Sequence, residues 1–337
     1  MNSKNVSMQN IADALGITKV SVSKALNDQP GISRDLKKQI QSVACEMGYI
    51  KRNGKLSTQK IEKLGFFIPA HFFVESDKFY SQIYYYLSKE CNRINMSLTL
   101  YIISQDEENT LSIPHSFESE NLDGLFIVGE FSDAYIINLF KFNIPTVTID
   151  FYKPFFKCDS IVFDNFNSSY MATLYLIKNG HKNIGFVGNP NYTSSVADRY
   201  YGYLKALNQN SLEYKKEWHI INNDLSGIYT DEYFLPKDLP TAFLCHCDMA
   251  AYNFMLRLRL QGISVPEQVS LISFDNTPLS QKCNPALTTV DNETSKLSKM
   301  AFKQMLWRIE NPSSESQKVS LSTKLIERSS VKSIEIS

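Results

Sequence analysis

The sequence predicts two parts, a small N-terminal all-α helix-turn-helix head and an α/β body of two subdomains, each a doubly wound parallel sheet. Three observations lead there. Residues 7–49 carry apolar positions at helical spacing in three short runs. Beyond residue 63, short apolar runs alternate with longer helical stretches, which is the pattern of βαβ units. Charge is also divided between the parts. The chain has 35 basic and 35 acidic residues, yet residues 1–63 hold 11 Lys/Arg against 5 Asp/Glu, a net of +6. The remainder carries −6. A basic head on an acidic body suits a module that neutralises phosphates joined to one that does not.

In the head, Ser7 is placed to cap a first helix whose apolar residues are Met8, Ile11, Ala12 and Leu15, and Gly16 ends it. Thr18 caps a second helix, in which Val22, Ala25 and Leu26 form an inward stripe. Its other side presents Lys19, Val20, Ser21, Ser23 and Lys24. Lysines reach guanine O6 and N7 or phosphate, hydroxyls hold phosphate, and Val20 can lie on a thymine methyl, so this face fits a major groove. A third helix, capped by Ser33, runs through Leu36, Ile40, Val43, Ala44 and Met47 to Gly48 and closes the small core. An unrelated three-helix bundle has the same spacing; the charge asymmetry is what favours a DNA-binding head.

The body begins with the strand LGFFIP, a helix near Phe79 to Asn95, and the strands SLTLYII and GLFIVG. There follow PTVTID, a helix near Asn165 to Lys178, IGFVG, a helix near Val196 to Leu207, TAFLCH, a helix near Met249 to Gln261, and SLISFD. Ligands are expected at the carboxyl ends of such strands. A chain of 337 residues with 43% hydrophobic content is long enough for two or three domains. No run approaches the apolar length of a membrane span, and Met1 to Ser7 is short and polar, so no secretory signal is expected and the protein is placed in the cytoplasm. The six cysteines are scattered, as free thiols in a reducing compartment would be. Cys245-His246-Cys247 invites a metal reading, but on a strand the two thiols face away from the imidazole, so core thiols are preferred and no metal or other cofactor is expected. No phosphate loop, dinucleotide fingerprint or nucleophile elbow is present, so an enzyme is not expected.

Asn10-Ile11-Ala12, Gly16, Val20 to Leu26, Asn27 and the Gly48-Tyr49 ending resemble the LacI/GalR family of bacterial transcriptional regulators. The resemblance continues in the family's order through Leu64 to Pro69, Asp123 to Val128, Ile144 to Asp150, Asn179 to Gly188, Arg199 to Tyr203, Val265 to Asp275 and Pro285 to Val290. It implies a head over 1–50, a linker over 51–63, and a periplasmic-binding-protein-like effector and dimerisation domain over 64–337. Subdomain 1 would hold about 64–161 and 291–320, and subdomain 2 about 162–290 and 321–333, with crossings near Val162, Val290 and Leu321. A small-molecule effector would lie between them.

By the same resemblance Arg199, before the pair Gly202-Tyr203, would bond effector oxygens, for which a guanidinium has a fixed fork of donors. Asp150 and Asp275, each ending a strand, would accept ligand hydroxyls, and Phe79, Tyr80 and Phe163 would offer aromatic planes for stacking. Cys247 stands where the family often has asparagine, so one hydrogen bond used by sugar-binding relatives would be lost, and an atypical effector is implied. In the linker, Lys51 and Arg52 would meet phosphates and Leu56 would be the minor-groove wedge, although Gly54 weakens a helix there. The reading is a homodimeric repressor of pseudo-palindromic operator DNA, with no membrane partner, controlled by a sugar or sugar derivative. A nucleobase or nucleoside effector is the alternative, and a cytoplasmic solute-binding or enzymatic α/β protein is the rival from another class. The short tail after Val319 to Ile326 lacks heptads, so tetramers through a coiled coil are not expected.

Lys24→Ala is expected to cost about 1–3 kcal/mol at a single operator position when affinities are measured across base-pair variants. A loss spread evenly over all variants would instead make Lys24 a phosphate contact.

Overall fold

The computed structural model describes residues 7–26, 31–33, 36–37, 39–40, 43–44, 63–74, 78–224, 227–230 and 233–334. The chain divides into two compact units, residues 1–61 and 62–337.

In the first unit the helix Met8–Leu15 opens with a reciprocal cap. The Asn10 N–H donates to Ser7 Oγ, and the Ser7 N–H donates to Asn10 Oδ1 at 2.9 Å. The helix ends at Gly16, whose φ of 64° is the left-handed conformation that glycine adopts without steric cost. Thr18 then caps the helix Lys19–Leu26, its Oγ1 accepting the Ser21 N–H at 3.1 Å. Ile11, Ala12, Val22, Ala25, Ile40 and Ala44 form the core of this unit, with Leu15, Leu26, Leu36 and Val43 packed around it.

The second unit holds two six-stranded sheets. The first is built from β1 (Lys63–Pro69), β2 (Ser97–Ile103), β3 (Gly124–Val128), β4 (Thr146–Ile149), β5 (Asp159–Phe163) and β11 (Lys318–Leu321), in the order β11-β5-β4-β3-β1-β2 and parallel throughout. The second contains β6 (Ile184–Val187), β7 (His219–Ile220), β8 (Ala242–Cys245), β9 (Ser270–Phe274), β10 (Thr288–Asp291) and β12 (Lys324–Ile326), in the order β12-β10-β9-β8-β6-β7. Only β12, at the edge, runs antiparallel to its neighbour β10. Strands such as β3, β6 and β8 are buried along their whole length, which is why they read as unbroken apolar runs rather than alternating ones. The chain passes from the first sheet to the second after β5, returns after β10, and crosses again between β11 and β12.

A buried ion pair fixes the return. Asp159 on β5 is fully buried and accepts Arg308 Nη2 at 2.6 Å, Arg308 Nε at 2.9 Å, Gln304 Nε2 at 2.9 Å and the Gln317 N–H at 2.8 Å. Helix Thr294–Glu310 and β11 are thereby tied to β5, and because every acceptor site is used the burial of charge is compensated locally.

Helices Asn165–Lys178 and Ser194–Gln209 pack closely on the second sheet. A Cβ on Gly202 would stand 2.2 Å from the Phe166 carbonyl oxygen and 2.9 Å from Ser169 Cβ. The obstacle is backbone, so the helices must separate to admit it. Gly202→Ala is expected to destabilise the body by about 1–3 kcal/mol or more in urea unfolding; an unchanged midpoint would contradict this packing.

Candidate functional site

On the head, Val20 is 63% exposed. Lys19 is exposed beside it, and Ser21, Ser23 and Lys24 are half-buried. An apolar side chain so exposed on a helix whose other face is core is suited to contact with a partner. Of the hydroxyls on that face, Ser21 Oγ is engaged internally, 3.0 Å from the cap hydroxyl Thr18 Oγ1. Ser7 is likewise held in its cap, its hydroxyl donating to Asn10 Oδ1 at 2.6 Å. Asn27, Lys51, Arg52 and Leu56 lie outside the described residues.

The body has a cleft of about 460 Å³ between its two sheets, within the size range of small-molecule sites. Phe79, Tyr80, Asp150, Arg199, Cys247 and Asp275 all line it. Phe163 does not, and that assignment is corrected. It is the last residue of β5, paired with Leu321 and 2% exposed, so its ring belongs to the interior of the first sheet rather than to the loops beyond the strand ends.

Each side chain reaches the cleft for a local reason. Asp150 follows β4 and Asp275 follows β9, and both turn with left-handed backbones, φ 71° and 98°. Such φ values are uncommon without glycine and concentrate where function holds strain. Tyr80, in the first turn of helix Phe79–Arg93, donates its hydroxyl to Asp150 Oδ2 at 2.8 Å. Arg199, on helix Ser194–Gln209, is 4% exposed. Its Nε donates to Asn165 Oδ1 at 2.8 Å, Nη1 to the His246 carbonyl, and Nη2 to Asp275 Oδ1 at 3.4 Å, while the guanidinium lies over the Phe274 ring at 4.5 Å. Asn292 Nδ2 also donates to Asp275 Oδ1 at 2.8 Å.

Cys247 performs a role that its residue type did not announce. Its Sγ caps helix Asp248–Leu260 by accepting the Ala250 N–H at 3.3 Å, and lies 3.1 Å from the Tyr229 hydroxyl. The thiol is thus taken up by protein groups. Cys245 and Cys247 belong to one apolar cluster, and among the described residues no three His, Cys, Asp or Glu side chains converge as metal ligands.

Sequence reasoning did not find His71, Phe72, Tyr192, Tyr229, His246 and Asn253, which also line the cleft. Phe72 and Tyr192 come from different lobes, and their rings meet at 5.6 Å. Beyond them Glu130 Oε2, after β3, accepts the Ser194 N–H at the start of helix Ser194–Gln209, at 2.6 Å. A carboxylate at a helix N-terminus meets unsatisfied donors and the positive end of the dipole. For His71, Phe72, Tyr192 and His246 the available signal was an aromatic or polar residue soon after a strand, whereas Asn253 sits within helix Asp248–Leu260 and Tyr229 in a longer loop.

Burial dominates the electrostatics. It raises the Asp150 carboxyl to about 6 against the partial opposition of Arg199 and the Tyr80 hydroxyl. It pushes the Tyr80 phenol well above its ordinary value. It also lowers His246 to about 3, assisted by Arg199, and lowers His71. Because Asp150 is raised in the folded state, the folded chain binds its proton more tightly than the unfolded chain. Stability from this group is therefore present at low pH and lost as pH rises through about 6. The difference in unfolding free energy between Asp150→Asn and the parent is expected to shift by about 1–3 kcal/mol in the variant's favour from about pH 4 to pH 7. Parallel pH profiles in denaturant titrations would refute it.

Comparison with known proteins places these features in context. Residues 173–331 match the family described as periplasmic binding protein-like domain. The chain is similar to the HTH-type transcriptional repressor PurR of Glaesserella parasuis serovar 5 (strain SH0165), 27% identical over 312 residues and 90% of each chain. It is 26% identical to PurR of Pasteurella multocida (strain Pm70) over 340 residues, covering 97% of this chain and 98% of that one. Among solved structures, the lac repressor dimer bound to operator and the anti-inducer ONPF aligns with a TM-score of 0.70 at 20% identity, covering 98% of this chain and 100% of that one. The complex of the transcriptional regulator CelR with cellobiose aligns at 0.69 and 18% identity, covering 97% and 100%.

Proposed function

This chain belongs to the LacI/GalR family of bacterial transcriptional regulators, and from that premise we propose that it is a sequence-specific repressor whose operator binding is set by a small molecule in the cleft. The observation that carries the reading is one cleft in which side chains from both lobes converge: Tyr80 and Asp150 from the first, Arg199 and Asp275 from the second. A ligand touching both lobes binds one separation of them more tightly than another, and this differential affinity is what a regulator needs.

The head reads DNA through Lys19, Val20, Ser23 and Lys24, with Lys51, Arg52 and Leu56 of the linker as further contacts. Two copies would read two half-sites. Association of two chains is supported by the lac repressor dimer, the assembly named for a solved structure that aligns over nearly the whole chain. The effector is a sugar or sugar derivative, which the paired aspartates and Arg199 suit as hydroxyl partners. A nucleobase or nucleoside is the second reading, favoured by the PurR name of the relatives and by the aromatic walls.

Selection of genomic fragments at fixed salt tests this. One short palindrome should be enriched by the intact protein and lost with Lys19→Ala. Asp150→Asn should retain the palindrome but lose the effector's roughly 5- to 150-fold change in operator affinity. Failure to enrich any site, with and without candidate effectors, would sink the repressor reading.

A further inference from the structure

The two oxygens of Asp150 are not equivalent. Oδ2 accepts the Tyr80 hydroxyl, whereas Oδ1 is buried and has no hydrogen-bond partner among the described residues. The residue is 6% exposed and lines the cleft, so a carboxylate oxygen stripped of water lies in the wall of the space that the effector enters. Neighbouring cations are engaged elsewhere. Arg199 directs its donors to Asn165, the His246 carbonyl and Asp275, and Lys153 pairs with Glu130 and Asp133. Burial holds His71 and His246 towards their neutral forms. Among the described residues no cation is paired with Asp150, while Asp275 has Arg199, so the uncompensated charge rests on Asp150. Tyr80 adjoins it, and Phe72, 5.0 Å from Tyr80 and 5.6 Å from Tyr192 between ring centroids, lines the same cleft with both.

A neutral hydroxyl would give Oδ1 a hydrogen bond but leave the excess charge in a poorly solvated site. An ammonium supplies both a donor and the opposite charge, and aromatic faces favour cations. We propose that the effector carries a protonated primary amine, seated on Asp150 Oδ1 with its carbon frame against Phe72, Tyr80 and Tyr192. The inference rests on the reading of this cleft as the effector site. It narrows the chemistry to amines, of which amino sugars fit the cleft's hydroxyl-bonding groups and linear diamines share the charge.

The test is calorimetric titration of the full chain at pH 7.5 with matched sets: D-glucosamine, D-glucose and N-acetyl-D-glucosamine; the galactose equivalents; and putrescine with 1,4-butanediol. In at least one set the amine should bind about tenfold or more tightly than its neutral partners, as expected of a charge-assisted bond. That preference should fall below about threefold in Asp150→Asn and persist in Tyr80→Phe, which keeps the carboxylate. The sugar sets and the diamine set separate the two sources of amine. Tighter binding of a neutral partner, no binding of any amine at 10 mM, or an equal preference in Asp150→Asn would each overturn the proposal. Fragment selection on the same preparation separates the two readings. If the palindrome is enriched while neutral ligands win, only the amine fails; if no palindrome appears, the repressor reading fails whatever the titrations give.

Discussion

Burying Arg199 imposes conditions on three separate segments at once. A guanidinium cannot shed its charge on burial, so its donors must be met where it lies. Asn165 meets one from the start of the helix that follows the first crossover, the His246 carbonyl meets another beyond β8, and Asp275 approaches from the end of β9. The side chain is therefore the fixed point around which the second lobe's loops are arranged. Phe274 under the guanidinium and the close Gly202 contact one turn further along keep the helix that bears it on the sheet. Without the arginine, Asp275 would remain buried with its charge unmatched, Asn292 being a neutral donor, and leaving one member of such a pair costs more than the pair contributes.

The first lobe is built differently. There the buried carboxylate, Asp150, has, among the described residues, the Tyr80 hydroxyl on one oxygen and no partner on the other. Asp248 offers the contrast. Burial raises it to about 6 as well, yet Ser273, Thr289 and both the N–H and hydroxyl of Thr277 donate to it. One carboxylate is a finished structural knot and the other an unfinished half of an interaction. Similar burial with such different satisfaction is what separates a residue holding a loop from one that receives a ligand.

Much of this was legible in the sequence, and the reasons differ by element. The strands showed because burial on both faces demands unbroken apolar runs such as Phe66-Phe67-Ile68. The head helices showed because Ser7, Gly16 and Thr18 are cap residues with few other uses in those places. Arg199 and Asp275 showed through family position. Phe163 misled because a strand end and the loop beyond it differ by one residue in sequence but by interior against cleft in space. Phe72, Tyr192 and His246 left no trace because loop conformation, not periodicity, brings them together, and Cys247 because sulfur is seldom a helix cap. The linker, where Leu56 was assigned, lies outside the described residues.

The same geometry limits how an effector can act. The lobes are joined by three crossings, after β5, after β10 and between β11 and β12, and the last is the short segment Ser322-Thr323. Ser168 and Thr323 hydroxyls lie 2.6 Å apart beside that segment, while Glu130 and the Ser194 N–H, with Phe72 and Tyr192, join the lobes across the cleft. The first contact belongs to the connection and the others bridge loops that a change of lobe separation would part. A ligand that draws Asp150 towards the Arg199 side adds to the bridging contacts; one that wedges Phe72 from Tyr192 opposes them. The sign of regulation then follows from which of these the ligand does, because an effector shifts the equilibrium only by the difference in its affinity for the two separations.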